Sequence, residues 1–255
     1  MKGKVYLVGS GPGGTAFLTQ RGRAVIDKAD IVLFDQLPGE EILATLPDHA
    51  EKIDCGKYGG KHTLEQAAIE ALMVDRAKKG KTVVRLKGGD PFLFGRGGEE
   101  LETVRAAGIA VEMVPGISSA LAVPASVGIP LTHRKYASQV TVLTGNEDPT
   151  KPGPALDWEL LAKSRGTIVI LMGVANLAKI AGALTKNGKP EGTPVAIIER
   201  GLRIDRRVTT GTLATIAGAA KKAGVKPPAV IVIGDVVKLY DPENPDLIPL
   251  EEAGL

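Results

Sequence analysis

The chain has 255 residues, of which 44% are hydrophobic and 24% charged, and its formal net charge is only +3 at pH 7. This length and composition indicate a globular protein of one large domain or two smaller ones, and the weak charge excess does not indicate a nucleic-acid-binding protein. A single cysteine, Cys55, excludes an intramolecular disulfide and a multi-cysteine metal site. The sequence contains neither a secretory signal nor an apolar run of the roughly 18 residues that span a membrane, so we expect a cytoplasmic protein.

A glycine-rich segment follows the first predicted strand. Gly9, Gly11 and Gly14, together with Asp35 after the second strand, match the dinucleotide-binding pattern of alternating glycines and a downstream acid. Pro12 argues against that interpretation, because proline removes a backbone N–H that a phosphate would use and fixes φ. From the residues alone, both a nicotinamide-dependent oxidoreductase and a loop for another ligand stay open.

The longest glycine-rich segment follows the strand at 82–86. It reads Arg85-Leu-Lys-Gly-Gly-Asp-Pro-Phe-Leu-Phe-Gly-Arg-Gly-Gly-Glu-Glu100. Closely spaced glycines let a backbone approach a ligand, and open α/β sheets bind ligands at the carboxyl ends of their strands. The charged residues of this segment suit either a polar ligand or a solvated loop, and the length of the glycine run favours a ligand.

Residues 86–100 resemble the signature of the tetrapyrrole methylase family, in particular of its uroporphyrinogen-III C-methyltransferases. The resemblance extends over about residues 4–238. It departs from the family pattern at Gly14, where the family usually has an acid. Three further segments carry the resemblance, namely Val8–Gly13, Pro115–Ala120 and Gly128–Arg134.

Strands and helices alternate in both halves of the sequence, which predicts an α/β protein. We expect two α/β lobes of the tetrapyrrole methylase type, residues 1–135 and 136–255, with the active site in the cleft between them. Helices are predicted at 15–29, 63–79, 99–107, 175–185 and 213–222. Strands are predicted at 4–8, 31–34, 52–55, 82–86, 111–114, 139–145, 167–172, 194–198, 207–210 and 229–233.

The resemblance implies an S-adenosylmethionine-dependent C-methyltransferase that methylates uroporphyrinogen III twice, at C2 and C7. The products are precorrin-2 and S-adenosylhomocysteine. It further implies a small-molecule tetrapyrrole substrate, a homodimer, and no metal, nucleic acid or membrane. The cofactor contacts that the resemblance carries over to this chain are Pro12, Gly88, Gly89, Asp90, Leu93, Ser118, Ser119, Met172, Gly201 and Ala229.

Methyl transfer to a pyrrole carbon must be followed by loss of a proton, which calls for a base. The resemblance implies Asp35 as a proton acceptor and Lys57 as a proton donor, and Glu99 is a second candidate base. The implied acceptor carries eight carboxylates, and arginine is suited to bidentate carboxylate binding. We therefore predict that Arg96 and Arg134 bind substrate and that Arg96 also belongs to the catalytic group.

Three alternatives stay open at this stage. The chain could be a relative with another acceptor, such as a different tetrapyrrole, a modified protein side chain or ribosomal RNA. It could be the nicotinamide-dependent oxidoreductase that the first glycine loop suggests. It could also be a binding module that has kept the fold without turnover. The sequence does not indicate whether the product serves siroheme, cobalamin or haem d1.

Overall fold

A computed structural model describes residues 3–58, 61–62, 65–147 and 156–244, without the side chains of residues 57–58 and 61–62. The chain divides into two compact units, which meet in the sequence between Ser118 and Ser119. Each unit contains its own five-stranded sheet. The prediction of an α/β chain with two lobes is confirmed.

The first unit is built on a parallel sheet in the order β3-β2-β6-β1-β7. A separate two-stranded ribbon, β4-β5, is antiparallel. The strands of this unit are β1 (Lys4–Gly9), β2 (Ile31–Phe34), β3 (Glu51–Asp54), β4 (Lys57–Tyr58), β5 (Lys61–His62), β6 (Thr82–Lys87) and β7 (Ala110–Val114). Its helices are α1 (Gln20–Ile26), α2 (Glu40–Ala44), α3 (Gln66–Lys78) and α4 (Gly97–Ala106).

The apolar runs of these strands are buried on both faces of the sheet, as parallel strands covered by helices require. On one face, Leu7 and Val83 pack with Met73 of α3. On the other face, Val8 packs with Val25 of α1. All five side chains are at most 5% exposed, so this unit has a core on each side of its sheet.

The strand order contradicts the dinucleotide-binding interpretation. In that fold the strands before the glycine loop and before the acid are neighbours, whereas here β6 lies between β1 and β2. A short 3-10 helix at Thr15–Phe17 also separates Gly14 from α1, so no α-helix begins directly at the glycine loop. This segment therefore lacks an α-helix that starts at the loop and could bind a pyrophosphate with its N-terminal N–H groups.

The second unit has a mixed sheet in the order β11-β10-β12-β9-β8, in which only β8 and β9 pair in parallel. Its strands are β8 (Val140–Thr144), β9 (Thr167–Leu171), β10 (Pro194–Glu199), β11 (Arg207–Thr212) and β12 (Ala229–Ile233). Its helices are α5 (Ser119–Ser126), α6 (Trp158–Lys163), α7 (Leu177–Lys186) and α8 (Ile216–Ala223). Short 3-10 helices lie at Val174–Asn176 and Asp235–Leu239.

The boundary between the units falls earlier than the predicted change of domain after residue 135. Helix α5 belongs to the second unit because it contacts β9 and β12. Val123 of α5 lies against Gly201, which follows β10. The segment between α5 and β8 also joins this unit, since Thr167 Oγ1 donates a hydrogen bond to the carbonyl of Leu131 at 2.7 Å. In the described part of the chain, no helix is long and apolar enough to cross a membrane.

Cys55 follows β3 and is 6% exposed. Burial raises the pKa of its thiol to about 11, from an ordinary value of 9.0. The reactive thiolate fraction falls tenfold for each unit by which the pKa rises, so we expect thiol labelling of the native chain near pH 8 to be roughly 100-fold slower than labelling in denaturant. Absorbance of the anion released from an aromatic disulfide reagent measures both rates. Equal rates in the two states would contradict the buried, protonated thiol.

Candidate active site

Three loops meet at the carboxyl edge of the first sheet, where the neighbouring strands β6, β1 and β7 end. The loop after β1 pairs with the loop after β6 through backbone hydrogen bonds. The Gly11 N–H donates to the Gly89 carbonyl at 3.2 Å, and the Gly89 N–H donates to the Gly11 carbonyl at 2.8 Å. The Ser10 N–H also donates to the Lys87 carbonyl at 2.8 Å. The two glycine-rich segments singled out from the sequence thus form one structure.

Glycine is required here because the three backbones are in contact. A Cβ on Gly116, after β7, would lie 2.1 Å from the Gly89 oxygen, and a Cβ on Gly9 would lie 2.5 Å from the same oxygen. Real Cβ atoms do not come so close to a backbone atom. Gly89 itself has a φ of +65°, which glycine adopts without strain. We call Gly9, Gly89 and Gly116 the glycine junction.

Asp90 connects two of these loops. Its Oδ2 accepts a hydrogen bond from the Gly116 N–H at 3.1 Å, and its Oδ1 accepts one from the Phe92 N–H at 2.8 Å. The carboxylate therefore holds the loop after β6 against the loop after β7. Beside it, Gly88, Leu93 and Pro12 are half-buried, so each keeps part of its surface available. The cofactor contacts predicted for these four residues stay predictions.

Large apolar side chains are exposed around the glycine junction. Leu37 follows β2, Phe92 and Phe94 follow β6, and Ile117 follows β7, and each is between 40% and 55% exposed. Clustered exposed apolar residues beside polar backbone groups are typical of a ligand-binding surface. This edge of the first sheet is the strongest candidate for a binding site in the unit.

Arg96 has an unusual backbone conformation at the end of the loop after β6. Its φ is +58°, and Phe94 two residues earlier has a φ of +56°. Left-handed conformations of large residues are strained and concentrate at functional sites. The Gly97 N–H closes the loop by donating to the Pro91 carbonyl at 2.9 Å. Helix α4 then begins, with Arg96 as its N-cap residue.

Arg96 and Glu99 form an exposed ion pair. Arg96 Nε donates to Glu99 Oε2 at 3.0 Å and Nη2 donates to the same oxygen at 2.5 Å. The hydrogen bond to Glu99 raises the pKa of the Arg96 guanidinium. Both side chains are more than half exposed, so the pair stabilises the fold little and keeps both groups accessible to a ligand.

Glu100, the next residue, points into the protein, and one of its carboxylate oxygens accepts three hydrogen bonds. Its Oε1 accepts from Lys87 Nζ at 2.7 Å, from Arg85 Nε at 3.2 Å and from Gln66 Nε2 at 3.2 Å. Glu100 is fully buried, and Arg85 and Lys87 are 4% and 5% exposed. Its Oε2 has no hydrogen-bond partner among the residues described. These contacts join the last residue of β6 to the first turn of α4, so Glu100 ties together the two ends of the loop.

Lys87 and Asp35 complete this buried cluster. Burial lowers the pKa of the Lys87 ammonium, the positive charge of Arg85 lowers it further, and Glu100 opposes both effects. Asp35 Oδ2 lies 3.5 Å from Arg85 Nη2, and Asp35 Oδ1 accepts from the Leu37 N–H at 3.0 Å. Asp35 is therefore positioned by Arg85, and its side chain is 24% exposed. Lys57, the predicted proton donor, lies in β4, and its side chain is outside the described part of the chain.

The candidate residues of the second unit gather at one edge of its sheet. Met172 follows β9 and Gly201 follows β10, while Ala229 begins β12, which runs antiparallel to both strands. Met172 has a φ of +57° and is 50% exposed. Val123 of α5 contacts Gly201, because a Cβ on that glycine would lie 2.4 Å from Val123 Cγ1.

The remaining candidates lie on connecting segments. Ser118 is buried at the end of the first unit, and Ser119 begins α5 in the second. Arg134 is exposed on the turn that precedes β8. The structure thus gives the predicted residues positions within their own units. Their roles in binding and catalysis stay predictions.

Sequence reasoning did not find the buried cluster around Glu100. In the sequence, the charged residues of the segment after β6 suit a polar ligand or a solvated loop, whereas the Arg85 and Lys87 side chains are buried and bind Glu100. One signal was present in the sequence, because charged residues at two alternate positions of an otherwise apolar central strand must have buried partners.

The family model described as "Tetrapyrrole (Corrin/Porphyrin) Methylases" matches residues 4–217. The chain belongs to this family. It is 59% identical over 239 residues to an S-adenosyl-L-methionine-dependent uroporphyrinogen III methyltransferase of Methanosarcina barkeri, covering 94% of both chains. It is also 47% identical to Siroheme synthase 1 of Cronobacter sakazakii, but spans only 50% of that protein's length.

Solved structures agree with this family membership. The uroporphyrin-III C-methyl transferase from Thermus thermophilus, complexed with S-adenyl homocysteine, is 37% identical with a TM-score of 0.80. The alignment covers 93% of this chain and 100% of the Thermus chain. A cobalt precorrin-4 methyltransferase is 27% identical with a TM-score of 0.81, covering 92% of this chain and 95% of its own. A diphthine synthase at 16% identity and a TM-score of 0.64 shows the shared fold alone.

Proposed function

We propose that this chain is an S-adenosylmethionine-dependent C-methyltransferase that converts uroporphyrinogen III to precorrin-2 by methylation at C2 and C7. The observation that carries the proposal is the 59% identity over 94% of the chain to an archaeal uroporphyrinogen III methyltransferase. The methylase relatives with solved structures support the same chemistry. The strand order of the first unit removes the geometric basis of the oxidoreductase alternative.

The residues of the first unit fit such a cofactor. The glycine junction brings three loop backbones together without side chains between them, and the exposed Phe92 and Ile117 offer apolar surface beside it. When bound, S-adenosylmethionine supplies an electrophilic methyl group, so the main contribution of the protein is to position the two reactants. Asp90 contributes by fixing the loops on either side of the junction.

The charged residues fit the acceptor. Arg96 projects from a strained, exposed position and can exchange its contact with Glu99 for a substrate carboxylate. Glu99, three residues further along the chain, is then a carboxylate close to the acceptor that can take the proton lost after methyl transfer. Asp35 is the second candidate base, and it is the more constrained of the two because Arg85 and the Leu37 N–H hold both of its oxygens.

An anaerobic turnover assay tests the proposed function. Purified protein is incubated with S-adenosylmethionine and uroporphyrinogen III, and the product is followed by visible absorbance and by mass. We expect a gain of two methyl groups. Cofactor binding without product would direct the search to another acceptor, such as a protein side chain or RNA. Absence of cofactor binding would refute the methyltransferase proposal.

Replacement of Arg96 by leucine tests the proposed role of this residue. We expect Arg96→Leu to lose turnover almost completely, because the acceptor loses a bidentate carboxylate contact. Binding of S-adenosylhomocysteine, measured by calorimetry, should be nearly unchanged. The matched control is Arg105→Gln at the far end of the same helix, which should retain normal turnover. Full activity of Arg96→Leu would remove this residue from the site.

Two further proposals concern the protein in solution. We propose that it is a homodimer, as the family resemblance implies, and that it works in the cytoplasm. Light scattering during gel filtration gives the mass, which should be twice that of the 26.6 kDa chain.

The siroheme synthase relatives support the use of the product in siroheme formation.

A further inference from the structure

Gly14 is the position of the first glycine loop at which the sequence departs from the family pattern and lacks an acid. In the structure, an acid from another part of the chain fills the space beside it. A Cβ on Gly14 would lie 1.9 Å from Oε2 of Glu41 and 2.6 Å from its Cδ. The Glu41 carboxylate, from the first turn of α2, therefore stands where a side chain at position 14 would begin.

The backbone conformation does not require glycine at position 14. Gly14 is the N-cap residue of the 3-10 helix at Thr15–Phe17, and its φ of −69° and ψ of −169° suit residues that have side chains. An N-cap residue such as aspartate or serine accepts hydrogen bonds from free N–H groups at the start of a helix. Gly14 cannot do so, and it is the Glu41 carboxylate that excludes a side chain from this position.

Glu41 supplies the acceptor that Gly14 lacks. Its Oε1 accepts a hydrogen bond from the Thr15 N–H at 2.9 Å and a second one from Thr15 Oγ1 at 2.5 Å. Hydrogen bonds to a charged acceptor are stronger than those between neutral groups. Both bonds are exposed, so we expect their loss to loosen the loop locally and to leave the buried core of the unit folded.

This contact joins the loop after β1 to the segment after β2. The two strands are not neighbours, because β6 lies between them, so the two segments meet beyond the end of β6. There, Gly89 pairs with Gly11 on one side. On the other side, a Cβ on Gly88 would lie 2.3 Å from Leu37 Cβ. The first residues of the loop after β6 are thus enclosed between the two segments that Glu41 joins.

The joined segments carry residues with predicted functions. Pro12, a predicted cofactor contact, lies in the loop after β1, and Asp35, a candidate base, lies in the segment after β2. The rate of methyl transfer depends on how accurately the reacting groups are placed, and a misplacement of about 1 Å can lower it about 100-fold. A residue that fixes the spacing of these two segments can therefore affect the reaction without touching either reactant.

We propose that Glu41 is a positioning residue, which holds the loop that carries Pro12 against the segment that carries Asp35. This inference rests on the proposed function, since it assigns the loop after β1 to the cofactor. Glu41 acts through Thr15 and provides, from α2, the cap that Gly14 cannot provide.

Glu41→Ala tests this role. We expect the Kd for S-adenosylhomocysteine, measured by calorimetry, to rise about tenfold, the effect of losing one hydrogen bond to a charged group. Glu41→Gln keeps an oxygen that can accept from Thr15 and should recover most of the loss. The urea midpoint should stay close to that of the wild type, which distinguishes positioning from a structural role. The control is Glu40→Ala, which removes the same charge from the first turn of α2 and should bind normally.

Replacements at position 14 test the exchange with Glu41. Gly14→Ala should weaken binding as much as Glu41→Ala, because the new Cβ displaces the carboxylate. The two losses should not add in the double variant, since both remove the same contact. Gly14→Asp in the Glu41→Ala background places a carboxylate at the N-cap and should bind more tightly than Glu41→Ala alone. Additive losses, or no recovery by the aspartate, would overturn the proposal.

The calorimetric titrations separate this inference from the proposed function. Equal Kd values for the wild type and Glu41→Ala would overturn the role of Glu41 and leave the methyltransferase proposal intact. A free energy of unfolding that falls in Glu41→Ala by as much as the binding free energy would show a structural role and also overturn it. Absence of binding by the wild type itself would refute both proposals.

Discussion

Replacing Glu100 by glutamine should destabilise the chain by about 3–5 kcal/mol, the cost of removing one partner from a buried ion pair. Glu100 is the common counterion of Lys87 and Arg85, and all three side chains are almost completely buried. A neutral amide removes the carboxylate that binds the buried Lys87 ammonium and leaves Arg85 with Asp35 as its counterion, at 3.5 Å. Urea denaturation followed by circular dichroism measures the loss as a lower midpoint.

The neighbouring residue provides the matched control. Glu99→Gln removes the same charge from the next position of the helix, but its partner Arg96 is exposed, so stability should change by no more than about 0.5 kcal/mol. Adding Lys87→Met to Glu100→Gln removes the buried cation that lost its counterion and should recover part of the loss. Equal midpoints for Glu100→Gln and Glu99→Gln would contradict the buried cluster.

The pH dependence of stability gives a second readout of this prediction. The pKa of Lys87 is lowered in the folded chain, so between that value and 10.5 the unfolded chain binds more protons at this residue than the folded chain does. The contribution of Lys87 to stability therefore rises with pH through that window and falls as the pH drops through the folded pKa. The difference between wild type and Lys87→Met, measured across alkaline pH, should show this slope.

The strands of this fold could be predicted because their apolar runs are short and end at glycine, proline or charged residues. Each predicted strand, from 4–8 to 229–233, coincides with a strand of the structure. The predicted helix at 15–29 is wrong in its first part. Thr19 interrupts it, because its side chain accepts a hydrogen bond from the Gly22 N–H and so caps a helix that begins only at Gln20.

Helix α6 was not predicted at all. Its six residues, Trp158–Lys163, are too few to show a helical period, and a proline-rich stretch precedes them. The structure shows a helix-start signal in the residue just before the helix. Asp157 caps the helix by accepting a hydrogen bond from the Leu160 N–H at 2.9 Å. An aspartate before a short apolar segment is a recognised start signal, but it is weak without a following period.

The glycine loops of the candidate site could be predicted from the sequence. The partners of its charged side chains could not. Glycine spacing is visible in the sequence, whereas the partner of a charge depends on strand order. Because β6 is the central strand, Arg85 and Lys87 lie under α4 and meet Glu100, and neither is available to a ligand. The Arg96 side chain is exposed because this residue lies in the loop beyond the end of β6.

Gly116→Ala should disable the candidate site in the first unit. The new Cβ would lie 2.1 Å from the Gly89 carbonyl oxygen and 2.8 Å from the Gly9 carbonyl carbon, which are both backbone atoms. Neither can rotate away as a side chain would, so one of the three loops must move. Overpacking of this kind costs about 1–3 kcal/mol of stability. The displaced loop carries Asp90 out of its contact with the Gly116 N–H.

The functional loss should exceed the loss of stability. A shift of the loops by about 1 Å is expected to lower turnover about 100-fold, because positioning is the main contribution of the protein to this reaction. Calorimetric titration should also show weaker binding of S-adenosylhomocysteine. The control is Gly182→Ala in α7, where a Cβ meets no atom within 4 Å and alanine should stabilise the helix by about 0.5–1 kcal/mol. If Gly116→Ala bound S-adenosylhomocysteine as tightly as Gly182→Ala, the glycine junction would be a packing feature of the first sheet and the cofactor would have to lie elsewhere.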